Sequence, residues 1–219
     1  ALPALTDARS VFPDIEFDWV VDEAFAEVPG WHPAVRQVIH SAHRRWKKNL
    51  GQSIFNGQLR DFYRKLNADD YDVVIDAQNN LKSALIAGLR RGHSHGLDKA
   101  SIREQPAHWA YHYHHPADKS QHAIERQRQL LAQAIGYDKP LSAPDYGIRR
   151  ERMQLPDIVL PANYLVFVHN ASWTTKLWPE SHWHQLIKKA AQAGYHVLLP
   201  CGNDAELQRA ERLAEHHDN

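Results

Sequence analysis

Short apolar runs alternate along the chain with segments whose apolar side chains recur every three to four positions. The first pattern indicates buried β-strands, and the second indicates amphipathic α-helices. The predicted strands are 16–21, 34–40, 71–76, 164–168 and 195–199. The predicted helices are 2–11, 52–66, 81–89, 121–135, 179–193 and 204–216. Strands that alternate with helices are typical of α/β folds, in which helices cover both faces of a parallel sheet.

Local signals mark the ends of the predicted helices. Glycine favours the left-handed backbone that follows a helix, proline suits a first helical position, and short polar side chains cap the first turn. The residues expected in these roles are Gly136 and Gly194 after a helix, Pro179 at a first helical position, and Asp204 as a cap.

Residues 149–161 have the composition of a linker, with arginines early and prolines late. We place a domain boundary inside this linker, because regular patterns of apolar residues occur on both sides of it. The predicted domains are therefore 1–150 and 151–219.

The composition favours a globular protein without an extended charged surface. Lys and Arg total 26, as do Asp and Glu, so any anion site must be local and no general field favours nucleic acid. The single cysteine excludes an internal disulfide framework, and Cys201 is expected to be a buried small apolar residue. No run approaches about 20 apolar residues and no signal peptide opens the chain, so we expect a cytoplasmic protein.

Residues 168–183 carry the candidate chemistry of the chain. A predicted strand ends in a polar loop, and a predicted helix follows the loop. The loop holds several hydroxyl groups and one mobile positive charge, on Ser172, Thr174, Thr175 and Lys176. In α/β proteins such donors at the end of a parallel strand bind a diphosphate. The alternative is an ordinary loop with a solvated lysine, because the sequence has no glycine-rich fingerprint.

Two segments of the second domain resemble the donor half of a known enzyme family. They read His169-Asn-Ala-Ser-x-x-x-Lys-x-Trp-Pro179 and Leu199-Pro-Cys-Gly-Asn-Asp-Ala-Glu206. They are similar to the bacterial lipopolysaccharide heptosyltransferases, glycosyltransferase family 9. The first domain resembles the members of this family that add the first heptose, in the segments Phe17-Asp-Trp-Val-Val-Asp22, Arg44-Arg-Trp-Lys-Lys48, Tyr71-Asp-Val-Val-Ile-Asp76 and His122-Ala-Ile-Glu-Arg126.

The resemblance implies the GT-B fold, in which two Rossmann-like, doubly wound domains face a cleft. The domain 1–150 would bind the acceptor, and 151–219 would begin the domain that binds the nucleotide sugar. Family members are longer, so the first strand and most of the second domain are expected to lie outside this chain. The general base of the family is an aspartate that we expect upstream of Ala1, and we assign no catalytic residue within the chain.

The activity implied by the resemblance is inverting transfer of L-glycero-D-manno-heptose. The donor would be ADP-heptose and the acceptor a Kdo hydroxyl of Kdo2-lipid A, in the inner core of lipopolysaccharide. No cofactor and no nucleic acid are implied, and membrane contact would be peripheral, through the lipid acceptor at the cytoplasmic face of the inner membrane. Two alternatives stay open: a family member that acts on an inner-core heptose, and a non-enzymatic anion-binding module.

The resemblance assigns donor binding to the backbone of Ala171 and to the side chains of Ser172, Lys176 and Glu206. Lys176 would stabilise the departing diphosphate. Glu206 follows the second strand of its domain, where doubly wound folds place an acid that accepts hydrogen bonds from ribose. A structural role is the alternative for Glu206, because the helix dipole also favours a glutamate in a first turn.

Acceptor binding is expected from basic side chains of the first domain. Four of them surround Trp46 within five residues, namely Arg44, Arg45, Lys47 and Lys48. Phosphates and carboxylates on one acceptor favour such a cluster, although a charge run is more often a solvated face. Weaker candidates are Lys82, Arg103 and His122, whose alternatives are a surface lysine, an ion-paired arginine and a helix-capping histidine.

The chain has 16 histidines, which raises the question of a metal site. His93 and His95, and the histidines of 112–115, have spacings that two metal ligands on a strand could use. Zinc sites usually include cysteine or carboxylate ligands as well, and no His-Glu-x-x-His motif is present. We therefore expect no metal.

Aspartates near strand ends are the remaining acidic candidates. Asp76 ends a predicted strand, and we consider it a candidate for lining the cleft. Asp7, Asp18 and Asp22 are expected to be solvated or to cap helices.

Overall fold

The structure of the protein is a computed structural model, which describes residues 1–48, 56–90, 92–154 and 157–215. The side chains of Arg44, Lys47 and Lys48 are outside this description. The chain divides into two compact units, Ala1–Gln154 and Leu155–Asn219. Each unit combines parallel strands with helices, so the predicted α/β class is confirmed.

The described residues form eight α-helices and seven β-strands. The helices are α1 (Leu2–Val11), α2 (Glu27–Gly30), α3 (His43–Lys48), α4 (Gln58–Leu66), α5 (Leu81–Leu89), α6 (Ala123–Ile135), α7 (Glu180–Gln192) and α8 (Asp204–Ala214). The strands are β1 (Phe17–Asp22), β2 (Val35–Ser41), β3 (Val74–Ile75), β4 (Ser94–Leu97), β5 (Tyr113–His115), β6 (Tyr164–Val166) and β7 (His196–Leu198). Within the described ranges, no helix combines the length and the apolar character that crossing a bilayer requires.

All strand pairs among the described residues are parallel. In the first unit β1 pairs with β2, while β3, β4 and β5 form a second sheet in that order. In the second unit β6 pairs with β7, with Tyr164 opposite His196. Because neighbouring parallel strands end at the same edge, the segments after β3, β4 and β5 share one edge, and those after β6 and β7 share another.

Three apolar clusters form the core of the first unit. One packs α1 against β2 and α6 through Leu5, Val35 and Leu131. A second surrounds Trp46, and a third lies between α5, α6 and the strands that follow α5. Ile75 contacts the first and the third cluster, so the two-residue strand β3 lies where they meet.

Asp7 and Asp18 are ion-paired, which contradicts the expectation that they are solvated or cap helices. Asp7 is buried on α1 and accepts hydrogen bonds from Nε and Nη2 of Arg128 on α6, at 2.6 and 3.2 Å. Asp18 pairs with Arg36 at 2.5 Å. Asp22 does cap the 3₁₀ turn after β1, as expected. The ion pairs were not predictable from spacing, because Asp7 and Arg128 are 121 positions apart.

The helix ends follow the predicted signals with two exceptions. Gly136 and Gly194 have positive φ angles of 89° and 80° after α6 and α7, as predicted. Pro179 is the N-cap of α7, because its extended backbone places it just before the first turn. Asn203 caps α8 where the sequence predicts Asp204, since the side chain of Asn203 accepts a backbone hydrogen bond and Asp204 already lies in the helix.

Some elements are shorter than predicted. The second long predicted helix begins at Gln58, because Gly57 with a φ of 74° precedes it, and its predicted residues 52–55 lie outside the described residues. The strand predicted over 71–76 is limited to Val74–Ile75. No apolar run predicts β4 or β5, since these strands contain histidines and a glycine.

Candidate functional site

The four residues assigned to donor binding lie at one edge of the second unit. Ala171, Ser172 and Lys176 belong to the loop between β6 and α7, and Glu206 lies in the first turn of α8, after β7. Because β6 and β7 are adjacent and parallel, both segments leave the sheet at the same edge. The second unit therefore brings the four donor candidates to one edge.

The loop between β6 and α7 presents its polar side chains to solvent. Ser172, Thr174, Thr175 and Lys176 are all exposed. Lys176 closes a 3₁₀ turn, in which its backbone N–H donates to the carbonyl of Trp173 at 2.9 Å. Its ammonium makes no hydrogen bond or ion pair within the described residues, so the charge is free to meet a ligand. Exposed hydroxyls beside an unpaired cation suit a phosphate.

Helix α8 fixes the end of this loop through two arginines. Glu180, the first residue of α7, accepts hydrogen bonds from Nη2 and Nε of Arg212 at 3.0 and 3.4 Å. Arg209 lies 3.5 Å from the same carboxylate and donates to the carbonyl of Trp178 at 2.9 Å. The hydrogen bonds from Arg212 lower the pKa of Glu180, so the carboxylate stays charged at neutral pH. The loop that holds Lys176 is therefore anchored at its carboxyl end.

His169, near the start of the loop, is almost completely buried, with 2% of its surface exposed. Burial, and then the positive charge of Arg209, lower its pKa below the ordinary value. The imidazole is therefore neutral at pH 7, and its Nδ1 atom is buried without a hydrogen-bond partner in the described part of the chain. Neither His169 nor Arg209 was singled out from the sequence, although His169 opens the motif that resembles the family.

Glu206 has a structural contact that accompanies the donor role implied by the resemblance. Its Oε2 accepts the N–H of Gly202 at 2.9 Å, and its own N–H donates to Oδ1 of Asn203 at 3.1 Å. These bonds close the turn between β7 and α8, because Glu206 bonds the residue before the N-cap while the N-cap bonds Glu206. Cys201 in this turn is exposed, contrary to the expectation of burial, because β7 already ends at Leu198.

Three acceptor candidates lie along one edge of the β3–β4–β5 sheet. Lys82 lies in the first turn of α5 after β3, Arg103 follows β4, and His122 follows β5. Lys82 and Arg103 are exposed, and neither side chain makes a hydrogen bond or ion pair within the described residues. His122 caps α6 by accepting the N–H of Ile124 at 3.3 Å, which is its structural alternative. The topology therefore groups the three positions and leaves two cations unpaired.

The basic segment 44–48 forms most of α3, which follows β2. Arg45 donates to the carboxylate of Glu23 at 3.1 and 2.9 Å and to Oε1 of Gln58 at 2.7 Å. Trp46 is buried and donates to the same oxygen of Gln58 at 3.2 Å. The other basic side chains of the segment lie outside the description, namely those of Arg44, Lys47 and Lys48. Arg45 is thus already ion-paired, and acceptor binding by this segment stays a prediction.

Histidines of β4 and β5 contact one another across the sheet. The rings of His95 and His115 are nearly parallel, at 12°, and Nδ1 of His95 lies 2.9 Å from Nε2 of His115. Burial, and then the charge of a neighbouring histidine, lower the pKa of each ring. Among the residues that the structure describes, no group of three His, Cys, Asp or Glu side chains is arranged to hold a metal ion.

Asp76 is buried and takes part in internal hydrogen bonds, so it is not a free acid at the sheet edge. Its Oδ1 accepts the N–H groups of Gln78 and Asn79, each at 2.9 Å, and its Oδ2 accepts the hydroxyl of Tyr111 at 2.6 Å. Burial, and then the charge of Asp76, raise the pKa of Tyr111. The ring of Tyr111 lies 2.3 Å from the position that a Cβ on Gly96 would take. Asp76 therefore organises the exits of β3 and β4, and a role in lining a cleft stays a prediction.

The first unit also contains a cavity of about 500 Å³ that no sequence pattern indicated. Its lining includes Thr6, Ser10, His32, Asp145 and Arg149. His32 is buried, and its pKa is lowered by burial and then by the charge of Arg9. The cavity lies near the amino end of β2, whereas the basic helix α3 follows the carboxyl end of that strand.

Comparison with known proteins identifies the family. The family model described as Glycosyltransferase family 9 (heptosyltransferase) matches residues 59–219. Lipopolysaccharide heptosyltransferase 1 of Pseudomonas aeruginosa is 50% identical over 219 residues, which are 100% of this chain and 61% of the relative. The protein of that name from Escherichia coli strain K12 is 44% identical over 216 residues, which are 98% of this chain and 67% of the relative. The chain therefore spans about two thirds or less of the length of these relatives.

Solved structures of a heptosyltransferase have the same fold as this chain. The E. coli heptosyltransferase WaaC with ADP matches with a TM-score of 0.89 at 43% identity, covering 99% of this chain and 68% of that chain. WaaC with ADP-2-deoxy-2-fluoro heptose matches with a TM-score of 0.87 at 43% identity, covering 98% of this chain and 68% of that chain. The fold is that of the α/β glycosyltransferases of the GT-B class. The chain belongs to glycosyltransferase family 9, the heptosyltransferases.

Proposed function

We propose that the protein is an inverting glycosyltransferase that moves L-glycero-D-manno-heptose from ADP-heptose to a Kdo hydroxyl of Kdo2-lipid A. The observation that carries the proposal is the polar loop between β6 and α7, with the exposed Lys176, whose ammonium has no partner among the described residues. The names of two relatives, lipopolysaccharide heptosyltransferase 1, support the reaction, and the ligands named for the two WaaC structures support the donor.

Transfer of the sugar requires stabilisation of the charge that develops on the departing diphosphate. We assign this role to Lys176, whose ammonium has no competing partner among the described residues. The hydroxyl of Ser172 and the backbone N–H of Ala171 would donate further hydrogen bonds to phosphate oxygens. Such bonds strengthen as the leaving group gains charge, so they lower the barrier in addition to holding the donor.

Glu206 would serve the donor with the oxygen that does not hold the turn. Its Oε2 accepts the N–H of Gly202, whereas Oε1 makes no hydrogen bond within the described part of the chain. Oε1 would accept a hydrogen bond from a ribose hydroxyl of the nucleotide. One carboxylate would then shape the turn after β7 and bind the sugar of ADP.

The acceptor would bind where cations lie along the edge of the first unit. Lys82 and Arg103 are exposed there, and His122 would contribute only through the ring nitrogen that does not cap α6. Ile86 on α5 packs against the apolar cluster that contains Trp46 of α3, so α3 lies beside the helix that carries Lys82. The basic side chains of α3 would extend the same cationic surface toward the phosphates and carboxylates of Kdo2-lipid A.

The test is heptose transfer by the intact protein, with ADP-heptose as donor and purified acceptors of two kinds. We expect transfer to Kdo2-lipid A with release of one ADP for each heptose. Transfer to heptosyl-Kdo2-lipid A alone would assign the protein to a later step of inner-core assembly. Binding of ADP without transfer to either acceptor would favour an anion-binding module. Because the acceptor is a membrane lipid, we place the reaction at the cytoplasmic face of the inner membrane.

A further inference from the structure

Helix α5 exposes a stripe of leucines on the side that faces away from the core. Leu81, Leu85 and Leu89 are spaced by four positions, so they follow one face of the helix, with exposed fractions of 46%, 68% and 52%. The opposite side of the helix packs into the core through Ala84 and Ala87. A contiguous apolar stripe on the surface of a soluble protein indicates an interaction site.

Trp109 extends this stripe from a neighbouring segment. It is 80% exposed and belongs to the 3₁₀ turn between β4 and β5. This segment runs beside α5, because the carboxylate of Glu104 accepts the N–H of Leu81 at 2.9 Å, and a Cβ on Gly88 would meet Cβ of Ala110 at 3.9 Å. The indole of tryptophan has an apolar body and a polar N–H, and it is enriched where proteins meet lipid headgroups.

Unpaired cations lie at the amino-terminal end of the stripe. Lys82 follows Leu81 on α5, and Arg103 precedes Glu104, which is bonded to the start of the helix. Both cations are exposed and make no ion pair within the described residues. An apolar face beside unpaired cations is complementary to an anionic bilayer, because acyl chains take up the leucines and lipid phosphates meet the cations.

We propose that Leu81, Leu85, Leu89 and Trp109 form a docking surface that seats the protein on an anionic lipid bilayer. This inference rests on the proposed function, since an enzyme that modifies a membrane lipid must reach it at the bilayer. The leucines span about 12 Å of helix at 1.5 Å per residue, enough to enter the interface but not to cross it. Docking would bring Lys82, a proposed acceptor ligand, to the level of the headgroups.

The test measures cosedimentation of the intact protein with vesicles of phosphatidylethanolamine and phosphatidylglycerol, without donor or acceptor. Replacing Leu85 and Trp109 together with glutamine should weaken vesicle binding by about tenfold or more, because polar groups would then enter the apolar interface. The matched control is Leu141→Gln, at a leucine that is 99% exposed in the loop after α6. It should bind as the wild type does. Vesicles of phosphatidylcholine alone should bind the wild type more weakly, since they lack anionic lipid.

Two further measurements separate docking from folding and catalysis. All changed side chains are exposed, so the Tm of each variant should match that of the wild type. Heptose transfer to a detergent-dispersed acceptor should be unchanged in the double variant.

Wild-type vesicle binding by the double variant, or an equal loss in the Leu141 control, would overturn the proposal. A change from dimer to monomer with unchanged vesicle binding would overturn it as well, by assigning the stripe to a second copy. A wild-type protein that binds vesicles but transfers no heptose would support the docking surface and refute only the proposed function.

Discussion

Asp7 on α1 and Arg128 on α6 form a buried, bidentate ion pair between positions 121 residues apart. Arg128 also donates to Glu125 and to the carbonyls of Pro140 and Ser142, so all five N–H groups of its guanidinium have acceptors. The hydrogen bonds that Arg128 donates to Asp7 are the largest cause that raises the pKa of Arg128. A single cation therefore joins α1, α6 and the loop that follows α6.

Replacing Arg128 with methionine should destabilise the protein by about 3–5 kcal/mol, because the carboxylate of Asp7 would stay buried without its partner. Urea unfolding followed by circular dichroism measures the loss. The control is Arg64→Met, which breaks an exposed pair with Asp61 and should leave stability almost unchanged. Equal stability of the two variants would contradict the role given to the buried pair.

Replacing Lys176 with alanine in the intact protein should lower kcat for heptose transfer by about tenfold to a hundredfold. The KM for ADP-heptose should change less, because the contact is strongest once the diphosphate departs. Steady-state kinetics with saturating acceptor checks both values. Lys188→Ala, at an exposed lysine on α7, is the matched control and should behave as wild type. A normal kcat in the Lys176 variant would remove the leaving-group role.

Two substitutions at Glu206 should separate its two roles. Glu206→Gln should raise the KM for ADP-heptose but keep the Tm, since an amide oxygen still accepts the N–H of Gly202. Glu206→Ala should raise the KM similarly and also lower the Tm, because the turn loses its acceptor. Donor kinetics and thermal melting of both variants provide the comparison. A KM that is unchanged in both would leave Glu206 with the structural role alone.

The basic side chains of α3 should act on the acceptor and not on the donor. Replacing Arg44, Arg45, Lys47 and Lys48 with alanine should raise the acceptor KM, leave ADP affinity near normal and produce no change in duplex DNA binding, which should be negligible at physiological salt. The control is Glu23→Gln, which breaks the ion pair of Arg45 but keeps all four cations. If the quadruple replacement left the acceptor kinetics unchanged, the segment would be an ordinary solvated face and not an acceptor site.

The histidine pair on β4 and β5 should make stability depend on pH. Burial lowers the pKa of His95 and His115 in the folded state, so the unfolded chain binds protons more readily. The free energy of unfolding should therefore fall as pH drops through the ordinary histidine pKa of about 6.5. Urea titrations at pH 7.5 and pH 5.5 should show a smaller fall when both residues are replaced with glutamine. If the wild type and the double variant lost the same free energy of unfolding between the two pH values, the pair would make no contribution to the pH dependence of stability.

Local signals were enough to predict several elements from sequence. The helices Leu2–Val11 and Leu81–Leu89 have the predicted bounds, because their apolar spacing and their end signals lie within the helices or next to them. The strands β4 and β5 were not predicted, because they lack such local signals. Their residues have little strand propensity, and their place in the sheet depends on contacts with distant segments, such as the fit of Gly96 against Tyr111.

For the candidate sites too, the sequence predicted local placement but not contacts between distant residues. The edge on which Lys176 and Glu206 lie was predictable, since both follow adjacent parallel strands. The partners of charged side chains were not predictable. Arg45 is held by Glu23, 22 positions away, and Glu180 is held by Arg212, 32 positions away, because such pairs form only after the chain has folded.

The hydrogen bonds around Asp76 make several positions interdependent. Loss of its carboxylate would leave the hydroxyl of Tyr111 without its acceptor, and any side chain at Gly96 would displace the ring of Tyr111. Asn79 completes the set, since it has a φ of 56° and its Oδ1 accepts the N–H of Leu97 at 2.8 Å. Random libraries that vary one of these positions at a time should therefore return almost only the parental residue. During evolution these positions should change together, because a substitution at any single one of them would disrupt the contacts of the others.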